Sequence, residues 1–167
     1  MFEGWAWMYL VGSYEHVIDA KNRLAIPSAH RQEVPESPSG KKRFYARPVQ
    51  MAEANGEKRR FVELIPEPVF LSLAEKEKKE DSLEMAIDEQ DRQLSLFAGV
   101  KILEIDEQGR VVMPDDFLDR PEKKASRFAI NILGRDVVLA GVGSRLQVWN
   151  AEEYHRRFDG AGRVRAV

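Results

Sequence analysis

The 167-residue sequence predicts an α+β, strand-rich fold built from two copies of one unit. Three observations carry this. The phrase DAKNRLAIP at 19–27 recurs as DEQGRVVMP at 106–114, with Asp, Arg and Pro at identical offsets. Two further segments follow in the same order: 43–49 is answered by 136–142, and 60–73 by 145–158. Internal similarity of several pieces in one order is the mark of a repeat. Between the copies lie two charged stretches with helical patterning, PEPVFLSLAEKEKKE at 66–80 and DSLEMAIDEQDRQLSLFAG at 81–99.

The unit opens with a strand. Residues before Asp19 alternate, and those before Asp106 are β-branched or apolar. Asn22 and Gly109 hold the same place, and both residue types tolerate positive φ, so a tight turn is expected there. LAI and VVM then read as returning strands. Pro27 and Pro114 suit the first position of short helices over 28–34 and 115–120, where a missing N–H costs little.

The later pieces read as hairpins, FYARPV with FVELI and VVLAGV with LQVW, joined by MAEANGEKRR at 51–60 and by GSR at 143–145. In the second central helix Leu83, Ala86, Ile87, Leu94 and Phe97 follow helical spacing, with Asp81 or Ser82 as cap. The Pro-, Ser- and Gly-rich stretch at 33–42 reads as a surface loop. The expected organisation is an apolar arm (1–11), a first repeat with its helix (12–80), a helix with the second repeat (81–160) and a tail (161–167).

Composition narrows the function. Cysteine is absent, which removes thiolate metal sites, disulfides and a cysteine nucleophile. The apolar start, MFEGWAWMYLVG, has no basic n-region and is too short to span a bilayer; it reads as an edge strand, a packing arm or an over-long start. The net charge of −2 is unevenly spread: residues 1–60 carry +3, 61–107 carry −8 and 108–167 carry +3. Two mildly basic parts flank an acidic middle, a pattern that an acidic solvated helix explains equally well.

No catalytic constellation emerges, so the chain is not expected to be an enzyme and no cofactor or small-molecule substrate is expected. His16, His30 and His155 lack metal-ligand spacing and read as surface or partly packed side chains, so no metal is expected. GVGSR at 141–145 lacks the Lys-Ser/Thr ending and helix context of a phosphate loop and reads as a hairpin turn. The positive candidates are Lys21, Arg23 and Arg110, on or beside the duplicated turns. Each arginine has an alternative role, pairing with its own Asp19 or Asp106 to staple the turn. Gln108 stands at the Lys21 position, and both can reach a phosphate or a base edge.

GSYEHVIDAKNRLAIPSAHR, VKILEIDEQGRVVMP and VVLAGVGSRLQVWNAEEY together resemble the MraZ family, built from two SpoVT-AbrB-like repeats. The resemblance runs from Gly12 to about Phe158. It implies two intertwined, swapped-hairpin repeats forming a barrel-like β core with helices on one side. It also implies a regulator, expected to be a repressor, that binds repeated elements of promoter DNA in the division and cell-wall gene cluster. The subunits are expected to form homo-oligomeric rings in the cytoplasm, associated with the nucleoid and not with a membrane. Carried over by position, the DNA contacts are Lys21, Arg23, Arg31, Gln108 and Arg110, on turns shaped by Asp19, Asn22, Pro27, Asp106, Gly109 and Pro114. The chain departs from the pattern in four places: Asn22 replaces the usual turn glycine, Leu118 replaces the basic residue after the second short helix, with Arg120 close by, the 36–60 region is longer and more charged, and residues 1–11 have no clear counterpart. An antitoxin-like or scaffold module that binds a protein partner is the alternative, motivated by the apolar arm and the acidic middle.

Overall fold

Residues 9–79, 87–119 and 130–159 are described by the computed structural model of the chain. In the first copy β1 (Ser13–Val17) leads to β2 (Arg23–Ala25) and helix α1 (Ser28–Arg31), then to the hairpin of β3 (Arg43–Ala52) and β4 (Lys58–Pro66) and to helix α2 (Glu67–Lys79). After helix α3 (Ile87–Phe97) the second copy repeats the order. It comprises β5 (Lys101–Glu104), β6 (Arg110–Val112), a 3-10 turn (Asp115–Phe117), β7 (Asp136–Gly141), β8 (Leu146–Asn150) and helix α4 (Ala151–Phe158). The fold is the α+β, strand-rich one that the sequence predicts.

The two copies interlock. β1 pairs with β7, β5 with β3 and β2 with β6, all antiparallel, so every strand of a turn unit has its partner in the other copy. The six-stranded sheet, β1-β7-β8-β4-β3-β5, reads the same from either end once the copies are exchanged. At its centre Val62 faces Val148, Glu63 faces Gln147 and Leu64 faces Leu146, so an approximate two-fold axis passes between Glu63 and Gln147. The alignment of 60–73 with 145–158 sets Ile65 against Asn150, and the register corrects this by one residue: β4 ends on Pro66 and β8 on Asn150. Hairpin connections of unequal length absorb the difference.

Antiparallel pairing with two-residue alternation sorts the side chains between two faces. Phe44, Ala46, Val62, Leu64, Val137, Leu139, Leu146 and Val148 line the concave face of the curled sheet. They form one buried cluster with Leu24, Ile26, Val111 and Met113, so the β2–β6 ribbon closes that side. Tyr45, Phe61 and Trp149 point the other way, and the helices cover them. Phe70 of α2 stacks on Tyr45 at 4.4 Å, and Phe158 of α4 meets Trp149 edge-on at 5.4 Å. Such aromatic pairs add about 0.5–1.5 kcal/mol beyond their area burial. No described helix is long and apolar enough to cross a membrane.

Several expectations are corrected. Pro27 and Pro114 are N-caps with ψ of 141° and 148°, one residue before the expected position, because each follows directly from an extended strand. The helices they introduce are shorter than 28–34 and 115–120. Strands β3 and β4 run on until only residues 53–57 connect them, with Gly56 at φ 86°. The loop at 33–42 is anchored, since Val34 and Ser37 are buried. His30 is not a surface side chain: it is 1% exposed, and its Nε2 donates to the Val11 carbonyl at 2.8 Å. Leu10, also buried, exchanges two backbone hydrogen bonds with Gly143. Residues 1–8 of the arm, the Asp81 or Ser82 cap, Leu83, Ala86, Arg120 and the 161–167 tail lie outside the described residues.

Candidate nucleic-acid interface

The two duplicated turns are built alike. At the first, Asp19 accepts from the Lys21 and Arg23 backbone N–H groups at 2.9 Å and from Arg23 Nε at 2.8 Å. At the second, Asp106 accepts from the Gln108 and Arg110 N–H groups at 2.9 Å and from Arg110 Nε at 3.2 Å. Asn22 has φ 64° and Gly109 φ 79°, the left-handed conformation expected of both. A short Asx turn of this kind is held by side chain and backbone together.

Asp19 and Asp106 are held below the usual carboxylate range, first by the backbone N–H groups of Arg23 and Arg110 respectively. Both arginines therefore do staple their turns. Each commits only its Nε, and neither makes a second ion pair among the described residues. Five donors in a rigid fork let such an arginine hold an aspartate and an external phosphate at once.

The interlocking sets the turns on one surface. In the β2–β6 ribbon Arg23 faces Val112, Leu24 faces Val111 and Ala25 faces Arg110. Leu24 and Val111 are buried, so Arg23 and Arg110 share the outer face as diagonal neighbours, about 7–8 Å apart at the backbone in such pairs. The turns also brace each other: Met113 N donates to the Asn22 carbonyl at 2.7 Å, and Ile26 N to the Gly109 carbonyl at 2.9 Å. Lys21 and Gln108 are exposed, and the Lys21 ammonium has no ion-pair partner among the described residues.

Each turn also meets the short helix of the other copy. Asn22 Nδ2 donates to Asp115 Oδ1 at 3.4 Å. Arg31 lies across Gly109, so close that a Cβ there would be 2.6 Å from Cζ and 2.7 Å from Cδ of Arg31. Leu118, at the position matching Arg31, is 1% exposed and packs in the core beside Leu133. These two departures from the family pattern are thus structurally linked. Where Arg31 covers the turn, the turn residue is Gly109; where Leu118 turns inward, Asn22 has room for a side chain. Arg31, one of the DNA contacts that the resemblance implies, lies against the turn of the second copy through the strand exchange.

Arg31, Lys41 and Lys42 border a depression of about 600 Å³ beside Asp106, Glu107 and Gly109. A second depression, about 640 Å³ and lined by charged side chains such as Arg60, Glu152 and Arg156, lies near α4, away from the turns. Among the described residues no group of three or more His, Cys, Asp or Glu side chains could hold a metal ion.

The chain is similar to known proteins in sequence. Residues 96–161, which include the second turn, match the family model described as "MraZ protein, putative antitoxin-like". The chain is 28% identical over 149 residues to the transcriptional regulator MraZ of Mycoplasma mobile, covering 88% of this chain and 83% of that one. It is 26% identical to the transcriptional regulator MraZ of Carboxydothermus hydrogenoformans, covering 90% and 87%, and 28% identical to that of Roseiflexus castenholzii, covering 86% and 82%. In its doubled turn, its interlocked sheet and its sequence over most of its length, the chain is similar to the MraZ transcriptional regulators.

Proposed function

We propose that this chain is a transcriptional regulator that binds double-stranded promoter DNA through the outer face of the β2–β6 ribbon, with Lys21, Arg23, Arg31, Gln108 and Arg110 as contacts. One observation carries the reading. Two turns of the same construction, each with an arginine whose Nη groups make no ion pair among the described residues, are braced on one face of the β2–β6 ribbon. Asp19, Asn22, Asp106 and Gly109 shape the turns, and Pro27 and Pro114 end the strands behind them.

Few cations per subunit make for weak attraction to the phosphate backbone, consistent with a sequence pI near 6.0. Affinity then comes from several subunits meeting spaced DNA repeats, where each tethered contact gains from a high effective concentration. A homo-oligomeric ring acting as a repressor of the division and cell-wall gene cluster, on the nucleoid in the cytoplasm, fits this arithmetic. The role requires no catalysis. Purified protein incubated with sheared genomic DNA of its source should retain fragments bearing spaced repeats. Retention of no fragment above background would defeat the reading.

The antitoxin-like alternative rests on exposed apolar side chains, Leu71 and Leu73 on α2 and Ile87 and Leu94 on α3. A stoichiometric protein partner that competes with no DNA fragment would favour it.

A further inference from the structure

We propose that Arg31 is the second cation of the second turn, supplied by the other copy to replace the lysine that Gln108 lacks, so that both turns read DNA with two cations each. This rests on the DNA-binding reading above and deepens it. Within its own phrase the first turn holds Asp19, Lys21 and Arg23, a net of +1, whereas the second holds Asp106, Glu107 and Arg110, a net of −1. Taken alone these make unequal readers.

The strand exchange removes the difference. Asp115 joins the first turn through Asn22 and brings it to zero, and Arg31 joins the second through Gly109 and brings it to zero. Each turn is left with one arginine stapled to its own aspartate and one further cation, Lys21 or Arg31.

Arg31 is held for such a role. Its carbonyl accepts from Lys42 Nζ at 2.7 Å, which fixes the end of α1. Its Nε is buried without a hydrogen-bond partner among the described residues, and its guanidinium group and Cδ lie over Gly109. Gly109 leaves the space that this placement needs. An arginine held in place by such packing loses less freedom on meeting a phosphate than a free lysine does.

The test uses the full chain and a genomic fragment that the intact protein selects. Arg31→Met keeps an apolar stem over Gly109 and removes the charge. At matched salt it should weaken binding about tenfold, as Lys21→Met should, with the unfolding temperature little changed. Adding Gln108→Lys to Arg31→Met should restore most of the affinity, because it returns a cation to the same turn. A merely structural Arg31 would not be rescued in this way. Gln108→Lys in the otherwise unchanged chain leaves Arg31 untouched and should tighten binding. If Arg31→Met binds normally while Lys21→Met and Arg110→Gln bind poorly, or if Gln108→Lys neither rescues nor tightens, the inference is overturned and the DNA-binding reading stands. If none of these variants alters affinity, both are overturned.

Discussion

Arg31 and Gly109 share one space: a Cβ on Gly109 would lie 2.6 Å from Cζ of Arg31, although 78 positions of chain separate the two. Gly109→Asn, which copies the first turn, therefore meets a side chain that the first turn does not have. The single variant should lose roughly 1–3 kcal/mol of stability from overpacking and its positive φ. Combined with Arg31→Leu, which copies Leu118, it should regain about half of that or more. Denaturant titration of the double-mutant cycle measures the coupling; additive losses would mean that the two residues do not compete for this space.

The turn aspartates predict an acid-sensitive stability. Both carboxyls are held below their ordinary value of 3.8 in the folded chain, first by backbone N–H donors. A depressed carboxylate contributes stability that is complete above its unfolded value and is lost as pH falls through the folded one. Asp19→Asn and Asp106→Asn should therefore be less stable than the parent at about pH 6, with the gap closing below about pH 4. A gap that stays constant across this range would contradict the arrangement.

His155 predicts the opposite sign. Its Nε2 lies 2.6 Å from Glu15 Oε1 on β1, and its Nδ1 pairs with Asp159 at the end of α4. The bond to Asp159 raises its proton affinity above the ordinary 6.5; burial opposes this in part, and the bond to Glu15 adds to it. A raised histidine stabilises the fold fully below its unfolded value and ceases to do so as pH climbs through the folded one. His155→Gln should cost stability at about pH 6 and little at about pH 9, and an NMR titration of the ring should show the raised midpoint.

Gly141 predicts a purely steric effect. A Cβ there would stand 2.5 Å from Val11 N and closer still to the Leu10 carbonyl group, in the segment whose Val11 carbonyl holds His30. Gly141→Ala should cost about 1–3 kcal/mol by displacing this segment. Leu10→Ala should cost about 2–5 kcal/mol, since Leu10 is wholly buried. Thermal unfolding of the two variants and their combination checks both, and losses that simply add would deny the shared contact.

Much of the fold was legible because local chemistry and repetition agree. Asp19 with Asn22, and Asp106 with Gly109, specify a turn wherever they occur, and apolar runs of strand length bracket them. The exchange of strands between copies is not written in any short stretch. Whether Leu24 pairs with its own copy or with Val111 depends on where the whole sheet closes, and only the family resemblance pointed to it. For the same reason the sequence does not show which turn Arg31 meets, nor the Asn22–Asp115 bond across 93 positions. His30 misled because a lone histidine in a polar stretch gives no sign that a distant carbonyl awaits it.

If the duplicated turns grip the phosphate backbone of DNA, Lys21 should reveal it, because its side chain pairs with no described group of the fold. The measurement is the affinity of the parent and of Lys21→Met for a selected genomic fragment across a salt series. Lys21→Met should bind more weakly at every salt concentration, with a log–log salt slope reduced by about one for each turn engaged. Equal affinity and equal slope for the two proteins would contradict it.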